Sequence, residues 1–136
     1  MLNDYTVDKR CFAVINYRPV PVRLVERDNY TVRNFASYTV QKLSADGRCP
    51  MNPHTGIVLG IRADSLYETE AAARDCAEAR KADYIKKTCA SIRSVRELIE
   101  FPLTHDILEK NTDVLYPEKE LNRIAYLRRA KELLNI

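Results

Sequence analysis

Two short runs of β-branched and apolar residues open the pattern of this chain, at residues 11–15 (Cys-Phe-Ala-Val-Ile) and 20–25 (Val-Pro-Val-Arg-Leu-Val). Asn16, Tyr17, Arg18 and Pro19 lie between them, so the pair reads as a β-hairpin. Pro19 and Pro21 have no N–H to give to a ladder, which makes the second strand an edge strand or a bulged one. Asp28 and Asn29 then offer capping groups ahead of a helix expected over residues 31–43, where Val32, Phe35, Ala36, Thr39, Val40 and Leu43 keep an apolar stripe at helical spacing. Tyr38 falls off that stripe, either as an exposed contact or as a cover for a later helix.

Gly47 suits a turn over residues 44–48, and residues 49–56 (Cys-Pro-Met-Asn-Pro-His-Thr-Gly) form a second loop stiffened by two prolines. Residues 57–61 (Ile-Val-Leu-Gly-Ile) read as a third short strand. Ser65 and Glu68 have capping-box spacing, with Asp64 near the helix start, and open a stretch without Gly or Pro that runs to Phe101. Its length requires a break, near residues 81–83 or at Ala90 and Ser91. Ile85, Cys89, Ile92, Val95 and Ile99 then share one face, Thr104, His105 and Asp106 restart the chain after Pro102, and Pro117 takes a first-turn position ahead of Leu121, Ile124, Leu127 and Leu134. The class expected is α+β, a small core followed by a helical region.

Composition narrows the function. With 46% hydrophobic and 30% charged residues in 136, the chain can bury a core, which excludes wholesale disorder. Its apolar runs are too short to span a bilayer. Met1, Leu2, Asn3 and Asp4 lack the basic and apolar regions of a signal peptide, so a cytosolic setting is expected, or a host cytosol for a bacterial protein delivered by a non-cleaved signal. The net charge of +3 comes from 22 basic and 19 acidic residues mixed along the chain, too small an imbalance for a nucleic-acid footprint. Only a pI near 8.7 and the Arg128, Arg129 and Lys131 cluster favour a small basic helical nucleic-acid binder. Cys11, Cys49, Cys76 and Cys89 include no Cys-x-x-Cys pair, and reduced thiols are the expectation in a cytosol, with no metal and no cofactor.

One register ties several of these residues together. Cys11, then Pro21 and Val22, Tyr30 and Thr31, Phe35, Tyr38, Cys49 and Pro50, and finally Asp64 follow in an order that resembles the U-box, the zinc-free relative of the RING domain, in the divergent form found in bacterial effectors. The resemblance covers residues 8–80 and implies a hairpin, a central helix, a third strand and a C-terminal helix, with residues 81–136 as an appended helical region. Two zinc ions in a RING need about eight Cys and His ligands. Four Cys and two His cannot supply them. The family's usual first loop, Cys-Pro-Ile, is here Cys11, Phe12 and Ala13, and the Arg often present in the second loop is absent.

What the resemblance implies is an E3 ubiquitin ligase that recruits a ubiquitin-charged E2 conjugating enzyme and promotes transfer to an unidentified protein substrate, by orientation and without a covalent intermediate. Its groove would be formed by Ala13 or Val14, Tyr38 and Pro50, with Phe12 and Met51 as rim or support. Asn52 and His54 would bridge enzyme and ubiquitin, and Pro21, Tyr30, Phe35 and Asp64 would be structural. Phe12 and Val14 read equally well as core residues of the hairpin. The faces of residues 81–136 suit packing on the core, a substrate surface or a homodimer surface. The alternative function is a protein-interaction adaptor that keeps the scaffold without ligase activity.

Overall fold

The first hairpin forms as its sequence suggests. β1 (Arg10–Ile15) and β2 (Arg18–Val32) pair antiparallel, and Asn16 and Tyr17 between them have φ of 52° and 61°. Two left-handed residues are what a two-residue turn needs to match the twist of its strands. The turn closes on the Ile15 and Arg18 pair. Hydrogen-bonded and non-bonded pairs alternate from there, so Pro19 and Pro21, opposite Val14 and Phe12, fall at non-bonded positions with their nitrogens facing away from β1. β3 does not pair there, since its register begins at Val22, so neither proline leaves a gap in a ladder.

The computed structural model describes residues 2–107 and 117–136 and divides into two units, Met1–Glu78 and Ala79–Ile136. In the first unit β3 (Phe35–Lys42) and β4 (Ile57–Arg62) continue the meander, a 3-10 turn covers Ala63–Ser65, and β5 (Leu66–Tyr67) returns to pair with β1. The strand order is β4-β3-β2-β1-β5. Five flat strands would hold the two edges about 19 Å apart. The one-turn link from Arg62 to Leu66 spans at most about 14 Å even if extended, so the sheet must curl into a small open barrel. Inside it lie Leu2, Cys11, Ala13, Val22, Leu24, Tyr38, Val40 and Leu66, all buried.

The segment expected to be a helix, residues 31–43, is instead the end of β2, a two-residue turn and β3. Arg33 and Asn34 have φ of 49° and 67°, a second hairpin turn of the same kind. Beyond it the residues alternate. Ala36, Tyr38 and Val40 join the apolar core, while Ser37, Thr39 and Gln41 are buried on the opposite face. The helical stripe was an accident of spacing in a stretch whose aromatic and β-branched residues favour a pleated surface. The central helix of a U-box-like core is therefore replaced by a strand.

Asp28, expected as a helix cap, serves the sheet. Irregular register between Arg27 and Thr31 lets its carboxylate reach across, where it accepts from Ser37 Oγ at 2.6 Å, Thr39 Oγ1 at 2.7 Å and Gly60 N at 3.2 Å. Ser65 and Glu68 do not open a helix either, because Leu66 between them is fully buried against β1. The helix α1 (Glu70–Ser91) starts later, with Thr69 Oγ1 accepting from Ala72 N at 3.2 Å. Its first turns set Ala73, Cys76 and Ala77 against Phe12, Val14 and Tyr67, so β1 is covered on both faces.

The second unit holds the rest of α1, α2 (Val95–Thr104) and α3 (Pro117–Leu134). Of the two sites expected for a break, the one at Ala90 and Ser91 is used, and Ser94 caps α2 by accepting from Glu97 N. α2 continues through Pro102 instead of restarting after it. Ile92, Leu98, Phe101 and Ile107 form its core with Tyr126, Ala130 and Leu133. Pro117 begins α3 as expected; residues 108–116 of the region expected to be helical lie outside the described residues. Among the described residues no helix is long and apolar enough to cross a membrane.

The Asp28 cluster gives a test of the barrel. Burial raises the Asp28 carboxyl, but the hydrogen bonds from Ser37, Thr39, Gly60 and Tyr30 outweigh it and leave the group below its ordinary range. A lowered native value stabilises the fold above the unfolded carboxylate's range near 4, and that contribution is lost as pH falls through the native value. Asp28→Ala is expected to cost about 1–3 kcal/mol at neutral pH, with less further loss on acidification than the wild type shows. Urea midpoints at pH 7 and pH 3 measure both, and equal midpoints for the two proteins at pH 7 would refute the role assigned to Asp28.

Candidate functional site

Three neighbouring strands place a polar row on one face of the barrel, because Arg10 pairs with Arg23 and Arg23 with Gln41 across the ladders. Gln41 is the hub. Its side chain is 1% exposed, accepts from Arg23 Nε at 2.6 Å, and donates to the backbone carbonyls of Thr55 at 2.9 Å, Pro53 at 3.4 Å and Asn52 at 3.5 Å. The loop over residues 49–55 is thus fastened above the row by one buried amide. Asn52 Oδ1 tightens it further by accepting from His54 N at 2.9 Å, the local turn that a short amide side chain favours.

Between row and loop lies a cleft of about 360 Å³ lined by Asp8, Arg10, Arg23, Gln41, Cys49, Pro50, Met51 and Pro53. Its two guanidinium groups differ. Arg23 forms an ion pair with Asp8 at 2.7 Å, whereas Arg10 donates to the Gly47 carbonyl and to Cys49 Sγ at 3.6 Å, both neutral acceptors. Gly47 can present that carbonyl because it turns at φ 83°, closing residues 44–47 through its N–H to Ser44 O at 2.8 Å. The floor of the cleft is therefore fixed and positively charged. Its wall is apolar, with Met51 103% exposed.

The expected groove residues part company. Ala13, Val14 and Tyr38 are buried, Tyr38 stacking on Tyr5 with centroids 4.8 Å apart, and Phe12 is half-buried against α1. Only Pro50 and Met51 of that set reach the surface of the cleft. The cause is the strand at residues 35–42, which turns Tyr38 inward where a helix would have turned it out. His54 is exposed, and the Asn52 side chain is engaged in its own turn. Pro21 lies in β2 opposite Phe12. Tyr30 and Phe35, expected as structural residues, lie at the surface near the β2–β3 turn, where Tyr30 hydrogen-bonds the Asp28 carboxylate and the Arg62 guanidinium stands 5.3 Å from the centre of the Phe35 ring. Asp64 braces the 3-10 turn through two contacts of 2.8 Å to Arg62 and caps no helix.

Asp8, Arg10, Arg23 and Gln41 were missed by the sequence reading. The signal that would have found them is the alternation in residues 35–42: once these are a strand, Gln41 shares a face with Ser37 and Thr39, and its pairing leads to Arg23 and Arg10. Among the described residues no three His, Cys, Asp or Glu side chains come together to hold a metal ion. The chain matches no family model, no curated protein and no solved structure.

The four thiols are free and differently placed. Burial pushes the Cys11 thiol up to about 11, helped by the carboxylate of Glu68 and opposed by Lys9. Burial and Glu132 also raise Cys89. A protonated, covered thiol is a poor nucleophile. At neutral pH a disulfide reagent is expected to modify the exposed Cys49 first and to leave Cys11 and Cys89 unreacted until the protein unfolds. Peptide mapping of the labelled chain reads the order, and early labelling of Cys11 would contradict its burial inside the barrel.

Proposed function

We propose that this chain is a non-catalytic protein-interaction module that holds an acidic, partly apolar segment of a partner protein in the cleft of its N-terminal unit. The observation that carries this reading is the pairing of Arg10, whose acceptors are neutral, with an uncovered apolar wall at Pro50, Met51 and Pro53. A guanidinium fork matches a carboxylate in two parallel hydrogen bonds and is less strongly hydrated than an ammonium group, so it suits recognition in a half-enclosed site. Met51 adds a flexible, polarizable surface of the kind used to grip apolar side chains. Asp8, exposed at the rim, is the group an incoming carboxylate would replace on Arg23.

The ubiquitin-ligase reading is a second proposal, favoured by the fully exposed Met51 and the half-buried Pro50 on the loop that follows Cys49. A conjugating enzyme would have to be held by that loop, because Ala13, Val14 and Tyr38 lie in the interior. The two readings separate in the test tube. On an array of short peptides, the adaptor reading expects sequences with Asp or Glu beside an apolar residue to bind. Arg10→Ala is expected to weaken that binding about tenfold to a hundredfold, the loss of a charged hydrogen bond of about 1.5–3 kcal/mol, and Met51→Ala to weaken it less. Binding indifferent to Arg10→Ala would reject this reading. Chelator-resistant ubiquitin ladders with purified activating enzyme, conjugating enzymes and ubiquitin, lost in Pro50→Ala, would establish the ligase instead.

A further inference from the structure

α2 carries an apolar stripe that the described residues of its own unit leave uncovered. Leu98 and Phe101 belong to the core with Tyr126, Ala130 and Leu133 of α3. Val95, Ile99 and Leu103 are 44%, 65% and 82% exposed. At about 100° per residue these three, spaced by four, span a sector of about 80°. Its centre, Ile99, lies about 130° around the helix from the buried pair. One flank of the stripe is charged: Arg96 and Glu100 follow it on the side away from the core and pair with each other at 3.2 Å. The other flank is Pro102 and Leu98, without charge.

We propose that this stripe is a self-association surface, on which α2 of a second copy of the chain packs antiparallel about a two-fold axis at Ile99. The stripe is symmetric about Ile99, so Val95 meets Leu103 of the second copy and Ile99 meets its equivalent. The charges favour the same arrangement. In an antiparallel pair like flanks face each other, and with a rise of about 1.5 Å per residue Arg96 comes within about 3 Å, along the axis, of Glu100 of the second copy. The symmetric contact forms at the same time. A parallel copy would set the charged flank against the uncharged one. The pair within one helix is exposed and contributes little, so trading it for contacts between copies costs little. Six apolar side chains make an interface smaller than the standard size of about 1,600 Å², and the dimer is therefore reversible.

The test uses the whole chain in sedimentation equilibrium over about 10 to 500 µM, a range suited to a weak complex. The average mass is expected to rise from 15.7 kDa toward twice that value, and Ile99→Glu, at an exposed position, to weaken association at least about tenfold with its circular dichroism unchanged. Arg96→Glu places four carboxylates together in a dimer and Glu100→Arg four guanidinium groups, so each variant alone is expected to remain a monomer. Mixed in equal amounts they regain complementarity in both contacts and are expected to associate. A wild type that stays at 15.7 kDa throughout overturns the proposal, as does association undiminished by Ile99→Glu. A mixture that remains monomeric while the wild type dimerises overturns the antiparallel register.

Discussion

The N-terminal unit depends on one constraint of connectivity. β4 and β5 lie at opposite ends of the strand order, yet a single 3-10 turn, Ala63–Ser65, joins them. A sheet obeying that link has to curl, and curling creates an interior small enough for Ala13, Val22 and Val40 to fill together with Leu24, Tyr38 and Leu66. It also accounts for the irregularities in the ladders. The register shifts between β2 and β3 and between β3 and β4, and Gly60 at φ 72°, are where bent strands take up the curvature. Arg62 and Asp64, paired at the start of the turn, brace the corner.

Curvature decides the site as well. The strand face turned away from the apolar interior would be solvated in a flat sheet of this size, but here Ser37, Thr39 and Gln41 are buried by what folds over them. Each has a partner: Asp28 for the two hydroxyls, the carbonyls of the 49–55 loop and the Arg23 guanidinium for the amide. A buried amide with its hydrogen bonds made holds a loop in one place, since moving the loop would leave those groups unsatisfied. The cleft is thus built before any ligand arrives, which reduces the ordering a partner must impose on it.

Local signals in the sequence were sound where the chain itself supplies the geometry. Asn16 could be read as part of a turn, Gly47 as another, and Pro117 as a helix start, and all three stand so in the structure. The strand at residues 57–61 was legible for the same reason, and the break at Ala90 and Ser91 as one of two sites. Residues 31–43 were not. Val32, Phe35, Ala36, Thr39, Val40 and Leu43 satisfy helical spacing on paper, and nothing local says that Arg33 and Asn34 will reverse the chain. Leu66 shows the same limit: a residue inside capping-box spacing became a strand because it pairs with Ala13 on the edge of β1 and joins the buried core.

By itself, then, the sequence determined the α+β class, the first hairpin with its prolines, the turn at Gly47 and the helix start at Pro117, because these follow from backbone freedom and capping within a few residues. Tertiary structure alone decided that Tyr38 faces the core, that Arg10, Arg23 and Gln41 form one row, and that Pro50 and Met51 overhang it. Those outcomes depend on which strands pair and in what register, and a shift of one residue exchanges the two faces of a strand. Pairing is a contest among distant segments for burial and hydrogen bonds, and no window of a few residues contains its result.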